Sequence, residues 1–383
     1  MTATHAAPSR TPLHALHALH AAGVSVWLDY IDRTLVQSGE LARRITDDAL
    51  TGMTSNPTIF EKALSQGTAY DAQLAALSVD RTPWAIFEAV ETDDVRAACD
   101  LFRPTYAAAK GTDGFVSIEV SPGTAHDADG TVQEARRLWA TVDRPNVMIK
   151  VPGTPAGCVA LRRLIAEGLN VNVTLLFSCT AYADVVEAYL SGLEDRAKAG
   201  HALSPVASVA SFFVSRVDSE IDKRLDAIAT PEALALRGKA AIANAQLAYQ
   251  LFRERFSGPR WDALAANGAQ VQRPLWASTG TKNPAYSDVV YVEALIGPHT
   301  VNTLPPATLD AFRDHGTVTR TVDTDHAGAA RAITQIEALG ISLNAVTDQL
   351  LIEGLASFQK SFDSLLGGIE KKTALLAKQK SGQ

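Results

Sequence analysis

Asn146-Val147-Met148-Ile149-Lys150-Val151-Pro152-Gly153-Thr154 is an apolar strand with a single lysine inside it, and Asn170-Val171-Asn172-Val173-Thr174-Leu175-Leu176-Phe177 repeats its form shortly afterwards. An ammonium among apolar neighbours is costly unless it is paired, solvated or neutralised. Two readings follow. A lysine at a strand end or sheet edge reaches water and discourages aggregation. A lysine whose neutral form is favoured is instead a nucleophile for a ketone. The groups at the ends of the other strands decide between them.

Upstream, Phe115-Val116-Ser117-Ile118-Glu119-Val120 is a strand with Glu119 in phase at its end, joined to the lysine strand by a Gly- and Asp-rich loop (122–130) and a helix (132–141). Further back, Val24 to Tyr30 puts Ser25, Trp27 and Asp29 on one face and Val24, Val26 and Leu28 on the other. Leu50 to Pro57 reads as a strand running into a tight turn, where proline forces Asn56 to be extended. One helix is expected over 34–45, and a series of covering helices with no visible chemistry over 58–110.

Downstream, the 152–157 turn opens a helix that closes at Gly168. The fifth strand then places Asn170, Asn172 and Thr174 on one face and Val171, Val173 and Leu175 on the other. A sixth strand (206–213) carries Ser211 and leads into a helix whose first turn holds Arg216. A seventh (273–278) ends in Thr279-Gly280-Thr281-Lys282-Asn283, and the eighth is 300–303. Eight strands alternating with helices imply an α/β fold, a parallel sheet closed into a (β/α)8 TIM barrel. A doubly wound open sheet is the alternative, weakened by the lack of G-x-G-x-x-G after the first strand. In a barrel the polar faces gather in the mouth and the apolar faces lie under the helices.

The domain reading is an N-terminal tail and short helix (1–22, the helix from Leu13 to Ala22), then a single barrel with a C-terminal helical extension (23–383). That extension is a long helix over 346–376, interrupted at Gly367-Gly368, packed on the barrel exterior or across its mouth. His14, His17 and His20 recur along the first helix, where no carboxylate or cysteine completes a metal set, so a solvated face is expected.

The chain has 383 residues, 46% of them hydrophobic, with a formal net charge of −7. That balance argues against a general nucleic-acid surface, so any phosphate site must be a local basic pocket. Cys99, Cys158 and Cys179 form no CxxC pair, which indicates neither a disulfide framework nor a zinc ribbon. No apolar run approaches the roughly 18 residues of a membrane helix, and residues 1–22 lack the apolar core of a signal peptide. A cytoplasmic protein with no membrane or nucleic-acid partner, monomer or homodimer, is expected.

Asp29, Asn56, Glu119, Lys150, Asn172, Thr174 and Ser211 stand at or just past the carboxyl ends of their strands, the face on which barrel active sites are built. One polar residue there is commonplace. Seven across six strands, with two carboxylates and a lysine among them, point to chemistry.

These residues also carry a family resemblance. Gly52-Met53-Thr54-Ser55-Asn56-Pro57-Thr58-Ile59-Phe60 resembles the strand-two signature of transaldolases, Ile149-Lys150-Val151-Pro152 their Schiff-base segment, and Asn172-Val173-Thr174-Leu175-Leu176-Phe177-Ser178 their strand-five signature. The resemblance runs from about Val24 to the C-terminal helix. It implies transfer of a dihydroxyacetone unit from sedoheptulose 7-phosphate or fructose 6-phosphate to glyceraldehyde 3-phosphate or erythrose 4-phosphate, in the non-oxidative pentose phosphate pathway, without metal or organic cofactor.

The groups suit that reaction. Neutral Lys150 attacks the C2 carbonyl, and Glu119, through a water held by Thr174, shuttles the protons of dehydration. Asp29 is the base on the C4 hydroxyl, and Asn56 and Asn172 hold the three-carbon enamine. By resemblance, Ser211 and Arg216 are phosphate contacts. Lys282 stands where relatives commonly have an arginine, keeping the charge but losing the bidentate fork. Two other readings remain: an aldolase-type lyase on fructose 6-phosphate, and a non-catalytic phosphate-binding barrel. The chain's length and long C-terminal helix favour the transferase, since compact aldolase relatives lack such extensions.

Overall fold

The computed structural model describes residues 14–381 except residue 79. The tail and Leu13 of the expected first helix lie outside the described residues. Eight parallel strands are β1 (Val24–Asp29), β2 (Leu50–Thr54), β3 (Phe115–Glu119), β4 (Val147–Pro152), β5 (Val171–Leu176), β6 (Ser208–Phe213), β7 (Gln272–Ala277) and β8 (Thr300–Leu304). They pair in chain order and β8 closes on β1, so the open-sheet alternative is excluded. Glu119 is the register partner of Lys150, and Lys150 of Asn172. Directly paired residues of parallel strands face the same way, so β3, β4 and β5 present these three side chains at one level of the interior.

The interior is layered. At the amino-terminal end Asp113 accepts hydrogen bonds from Ser25 and, at 3.0 Å, from the Trp27 indole, with Arg273 Nη2 at 3.6 Å. Above this lies an apolar layer that includes Trp27, Phe115, Met148, Val209, Leu275 and Val301. One step further along the strands the in-phase residues Asp29, Ser117, Lys150, Ser211 and Thr303 are polar and lead to the mouth, while β7 has Ala277 at that step. The opposite strand faces, such as Val116, Ile118, Ile149, Val151, Val171 and Val173, are buried under the helices. Each such side chain contributes about 1.5–3 kcal/mol relative to exposure.

Short caps keep the mouth compact. Asn56, Thr154 and Ser178 each accept a hydrogen bond from a backbone N–H of the helix that starts at the next residue, and Pro57 and Pro155 occupy first helical positions, where no N–H is missed. The "tight turn" expected at Asn56-Pro57 is therefore a helix start.

Three helical expectations are corrected. The 34–45 segment is two helices, Arg33–Gln37 and Glu40–Asp47, separated at Gly39, whose φ of 86° has no place in a right-handed helix. The first helix is Ala15–Ala21, and of its histidines only His20 is exposed. His14 instead caps that helix and bonds the Asp47 carbonyl at 2.7 Å, while Leu16 and Leu19 are fully buried in the main core.

The C-terminal helix, Leu343–Ser381, continues through Gly367-Gly368. Two glycines cost about 1 kcal/mol each in a helix. Leu365 and Ile369, each 1% exposed, flank them, and Lys372 pairs with Asp71 at 2.7 Å and bonds the Leu64 carbonyl at 2.8 Å. Those anchors offset the loss and hold the helix across the barrel mouth. Among the described residues no helix is long and apolar enough to cross a membrane.

A Cβ on Gly52 would stand 2.5 Å from the Trp27 ring, which its bond to Asp113 holds in place. Gly52→Ala is therefore expected to lose about 1–3 kcal/mol by overpacking, read as a lower urea midpoint at unchanged slope. Gly123→Ala, with open space around it, should leave the midpoint in place; equal behaviour of the two variants would contradict this packing.

Candidate active site

Lys150 is 7% exposed on β4. Its Nζ lies 3.1 Å from Glu119 Oε2 and 3.2 Å from the Ser55 carbonyl oxygen. The Glu119 side chain is 6% exposed. Burial raises its carboxyl above the ordinary range, and the neighbouring Lys150 opposes but does not cancel that rise. Asp29, at the end of β1, is raised for the same reason, with Lys150 and a 2.7 Å hydrogen bond from Thr54 pulling the other way. One amine and two proton-hungry carboxyls thus line a single cavity of about 460 Å³, a size suited to a small-molecule ligand.

The same cavity is lined by Asn56, Thr174, Ser211, Arg216 and Lys282. Asn56 spends its Oδ1 on the N–H of Ile59, 3.1 Å away, which leaves its NH2 as the group it can offer. The Thr174 hydroxyl is buried and has no hydrogen-bond partner among the described residues, so it is available to a ligand. A bulge between Val173 and Leu176, with Leu175 at φ 61°, lets Thr174 and Leu175 both face the cavity, although neighbours in a regular strand would alternate.

Arg216 sits in the first turn of the helix Ser215–Ile228, with its guanidinium 5.3 Å from the Phe213 ring centroid. Burial lowers its proton affinity. Lys282 is exposed in the loop after β7. The C-terminal helix closes one wall with Gly354, Ser357 and Phe358; a Cβ at Gly354 would come within 3.2 Å of Leu175 and 3.9 Å of Arg216 Nη1. Acids therefore lie beside the lysine, while Arg216 and Lys282 stand toward the rim.

Residues 26–369 match the family model described as Transaldolase/Fructose-6-phosphate aldolase. The chain belongs to this family. Relatives named transaldolase include those of Mycobacterium marinum (52% identical over 370 residues, 95% of this chain and 98% of the relative), Thermobifida fusca (52% over 363 residues, 94% and 98%) and Mycolicibacterium smegmatis (53% over 355 residues, 92% and 95%).

In this member of the transaldolase/fructose-6-phosphate aldolase family, eight of the nine residues singled out in the sequence line one cavity, and Asn172 does not. It is fully buried, donating to Ser117 Oγ at 3.0 Å and accepting from Ser211 Oγ at 2.7 Å. Ser211 thus commits its hydrogen to the Asn172 amide, and the two form a belt with Ser117 across β3, β5 and β6.

Sequence reading missed Thr54, Ser117 and Thr303, which hold the others in place, and Ser55, whose carbonyl accepts from Lys150 while its hydroxyl donates to the Ser117 carbonyl at 3.0 Å. Thr54 had a readable signal, since it is the in-phase polar residue at the end of β2. Its Oγ1 joins Asp29 to Thr303, with 2.7 Å on each side. The Thr54 hydrogen bond favours the charged form of Asp29, so Thr54→Val should raise the proton affinity of Asp29 further. The acid limb of the pH–rate profile is expected to move to higher pH, and a shift to lower pH would exclude this arrangement.

Proposed function

We propose that the chain is a transaldolase working through a Schiff base on Lys150, with a ketose phosphate such as fructose 6-phosphate or sedoheptulose 7-phosphate as donor and glyceraldehyde 3-phosphate or erythrose 4-phosphate as acceptor. The observation that carries this reading is the buried Lys150–Glu119 contact of 3.1 Å, with Asp29 lining the same cavity. The full-length similarity to relatives named transaldolase supports it.

Lys150 passes its proton to the Glu119 carboxylate and attacks C2 of the donor as a neutral amine. Glu119 returns a proton to the carbinolamine hydroxyl, which leaves as water and gives the iminium. A carboxyl whose proton affinity is raised by burial suits both transfers. Asp29 takes the C4 hydroxyl proton as the C3–C4 bond breaks; that electron pair flows into the iminium and the first aldose departs. The enamine that stays on Lys150 attacks the acceptor aldehyde, Asp29 returns the proton, and hydrolysis frees the lysine.

Asn56 offers its NH2 to the three-carbon unit, and Thr174 holds the water of the proton shuttle. Asn172, set by Ser211 and Ser117, shapes the site at the level of the imine. Arg216, the helix N-terminus that carries it, and Lys282 hold the substrate phosphate. On this reading the protein works in the non-oxidative pentose phosphate pathway. Its three free cysteines accord with the cytoplasm.

Borohydride reduction in the presence of fructose 6-phosphate should fix a three-carbon adduct on Lys150. Lys150→Arg should fold, form no adduct and lose turnover, because a guanidinium makes no imine; retained activity would refute the assignment. Label released as free dihydroxyacetone without any acceptor would indicate a lyase instead.

Arg216→Ala removes a charge-assisted contact worth about 1.5–3 kcal/mol. The KM for phosphorylated donors should therefore rise roughly ten- to hundredfold, with little change for unphosphorylated ketoses. An equal effect on both donor classes would exclude Arg216 as the phosphate anchor.

A further inference from the structure

The loop after β7 carries Lys282 along the rim, from Thr279, which is fully buried, to Val289, where the chain returns to the core at 2% exposure. From residue 282 to residue 288 every residue is exposed except Tyr286. Internal hydrogen bonds make this loop one unit: Thr281 Oγ1 donates to the Ser287 carbonyl at 2.8 Å, and the Tyr286 N–H to the Asn283 carbonyl at 3.1 Å. Asp288 meets the exposed His315 at 2.9 Å. The Tyr286 hydroxyl ties the unit inward, donating to Asp222 Oδ2 at 2.6 Å.

Asp222 is itself fixed. It is 8% exposed, and its other carboxylate oxygen accepts from the Gly238 N–H at 2.9 Å. A Cβ on Gly238 would stand 3.0 Å from the Tyr286 ring, so this glycine packs directly against it. Asp222 belongs to the helix Ser215–Ile228, whose first turn holds Arg216. One turn earlier on that helix, Asp218 accepts from the Tyr291 hydroxyl at 2.8 Å, but Tyr291 lies beyond the return to the core and is 2% exposed. Of the two tyrosine–aspartate bonds, the one made by Tyr286 is therefore the one inside the loop that carries Lys282.

Among the described residues Lys282 makes no hydrogen bond or ion pair, and it borders two cavities: the active site, and a hollow lined by Asp218, Asp222 and Asp226. An ammonium on a flexible four-carbon stem can turn to either, and unlike a guanidinium it brings no planar fork to fix its aim. The backbone must supply that aim. We propose that Tyr286 is a positioning residue for phosphate recognition: its bond to Asp222 fastens the Lys282 loop to the helix of Arg216, so that the two cations clasp a single substrate phosphate. A loop already held in place loses less freedom on binding, and phosphorylated ligands gain the difference. The inference rests on the phosphate role given above to Arg216 and Lys282.

The test compares fructose 6-phosphate with fructose as donors. Tyr286→Phe keeps the ring and removes the hydroxyl; its KM for fructose 6-phosphate should rise roughly two- to tenfold, the worth of one hydrogen bond, with kcat and the kcat/KM for fructose unchanged. Asp222→Ala should match or exceed that rise and carries the test if the phenylalanine variant does not fold, while Asp222→Asn, whose amide can still bond the phenol, should rise less. In a Lys282→Ala background Tyr286→Phe should add nothing, because it acts through the missing ammonium. Tyr291→Phe should lower the urea midpoint and leave KM in place. An equal loss for both donors, an equal KM rise in Tyr291→Phe, or an undiminished Tyr286→Phe effect without Lys282 overturns the proposal. A KM that rises in Lys282→Ala but not in Tyr286→Phe sinks this inference alone, whereas an unmoved KM in Lys282→Ala sinks the phosphate role on which it rests.

Discussion

An amine and a carboxyl held 3.1 Å apart, each less than a tenth exposed, set the terms for the rest of the molecule. Taking both groups out of water is expensive, and their attraction compensates only if the geometry is fixed and the remaining polar atoms are satisfied. The barrel fixes it. Residues 119 and 150 are register partners on adjacent strands, and the Ser55 carbonyl accepts a second hydrogen from the amine. Below them, the apolar layer around Trp27, Phe115 and Met148 separates this polar level from the Ser25–Asp113–Arg273 cluster at the other end of the barrel.

The electrostatic pattern of the cavity follows from the same constraint. Asp29 and Glu119 are raised because burial penalises their charge more than Lys150 rewards it. Such acids accept and return protons nearer to neutrality than exposed carboxylates do. Arg216 and Lys282 lie toward the rim, Lys282 in contact with solvent, where a phosphate dianion can be met without burying a cation beside the amine. The long C-terminal helix approaches through Gly354, where a Cβ would press on Leu175.

Much of this was legible along the chain. The alternation Ser25-Trp27-Asp29 on β1 and Asn172-Thr174 on β5 identified strands whose inward face turns polar at one end, and eight strand segments separated by helices implied the barrel. The helix details were less so. Gly39 breaks a helix and Gly367-Gly368 does not, although all three are helix-weakening residues. The difference lies in what flanks them, because Leu365, Ile369 and Lys372 anchor the second site. Asn172 read as a lining residue, yet it is fully buried, with one amide N–H on Ser117 and its oxygen accepting from Ser211.

The sequence by itself determined which side chains face inward and which strand ends are polar, because side-chain direction in a strand repeats every two residues and is a local property of the chain. Tertiary structure alone decided that Asp29, Glu119 and Lys150 share one cavity, that Thr54 serves Asp29, and that the carboxyls beside the lysine resist ionisation. Ring closure brings together residues far apart in the chain, and the exclusion of water that sets their proton affinities arises only when the whole wall around them is assembled.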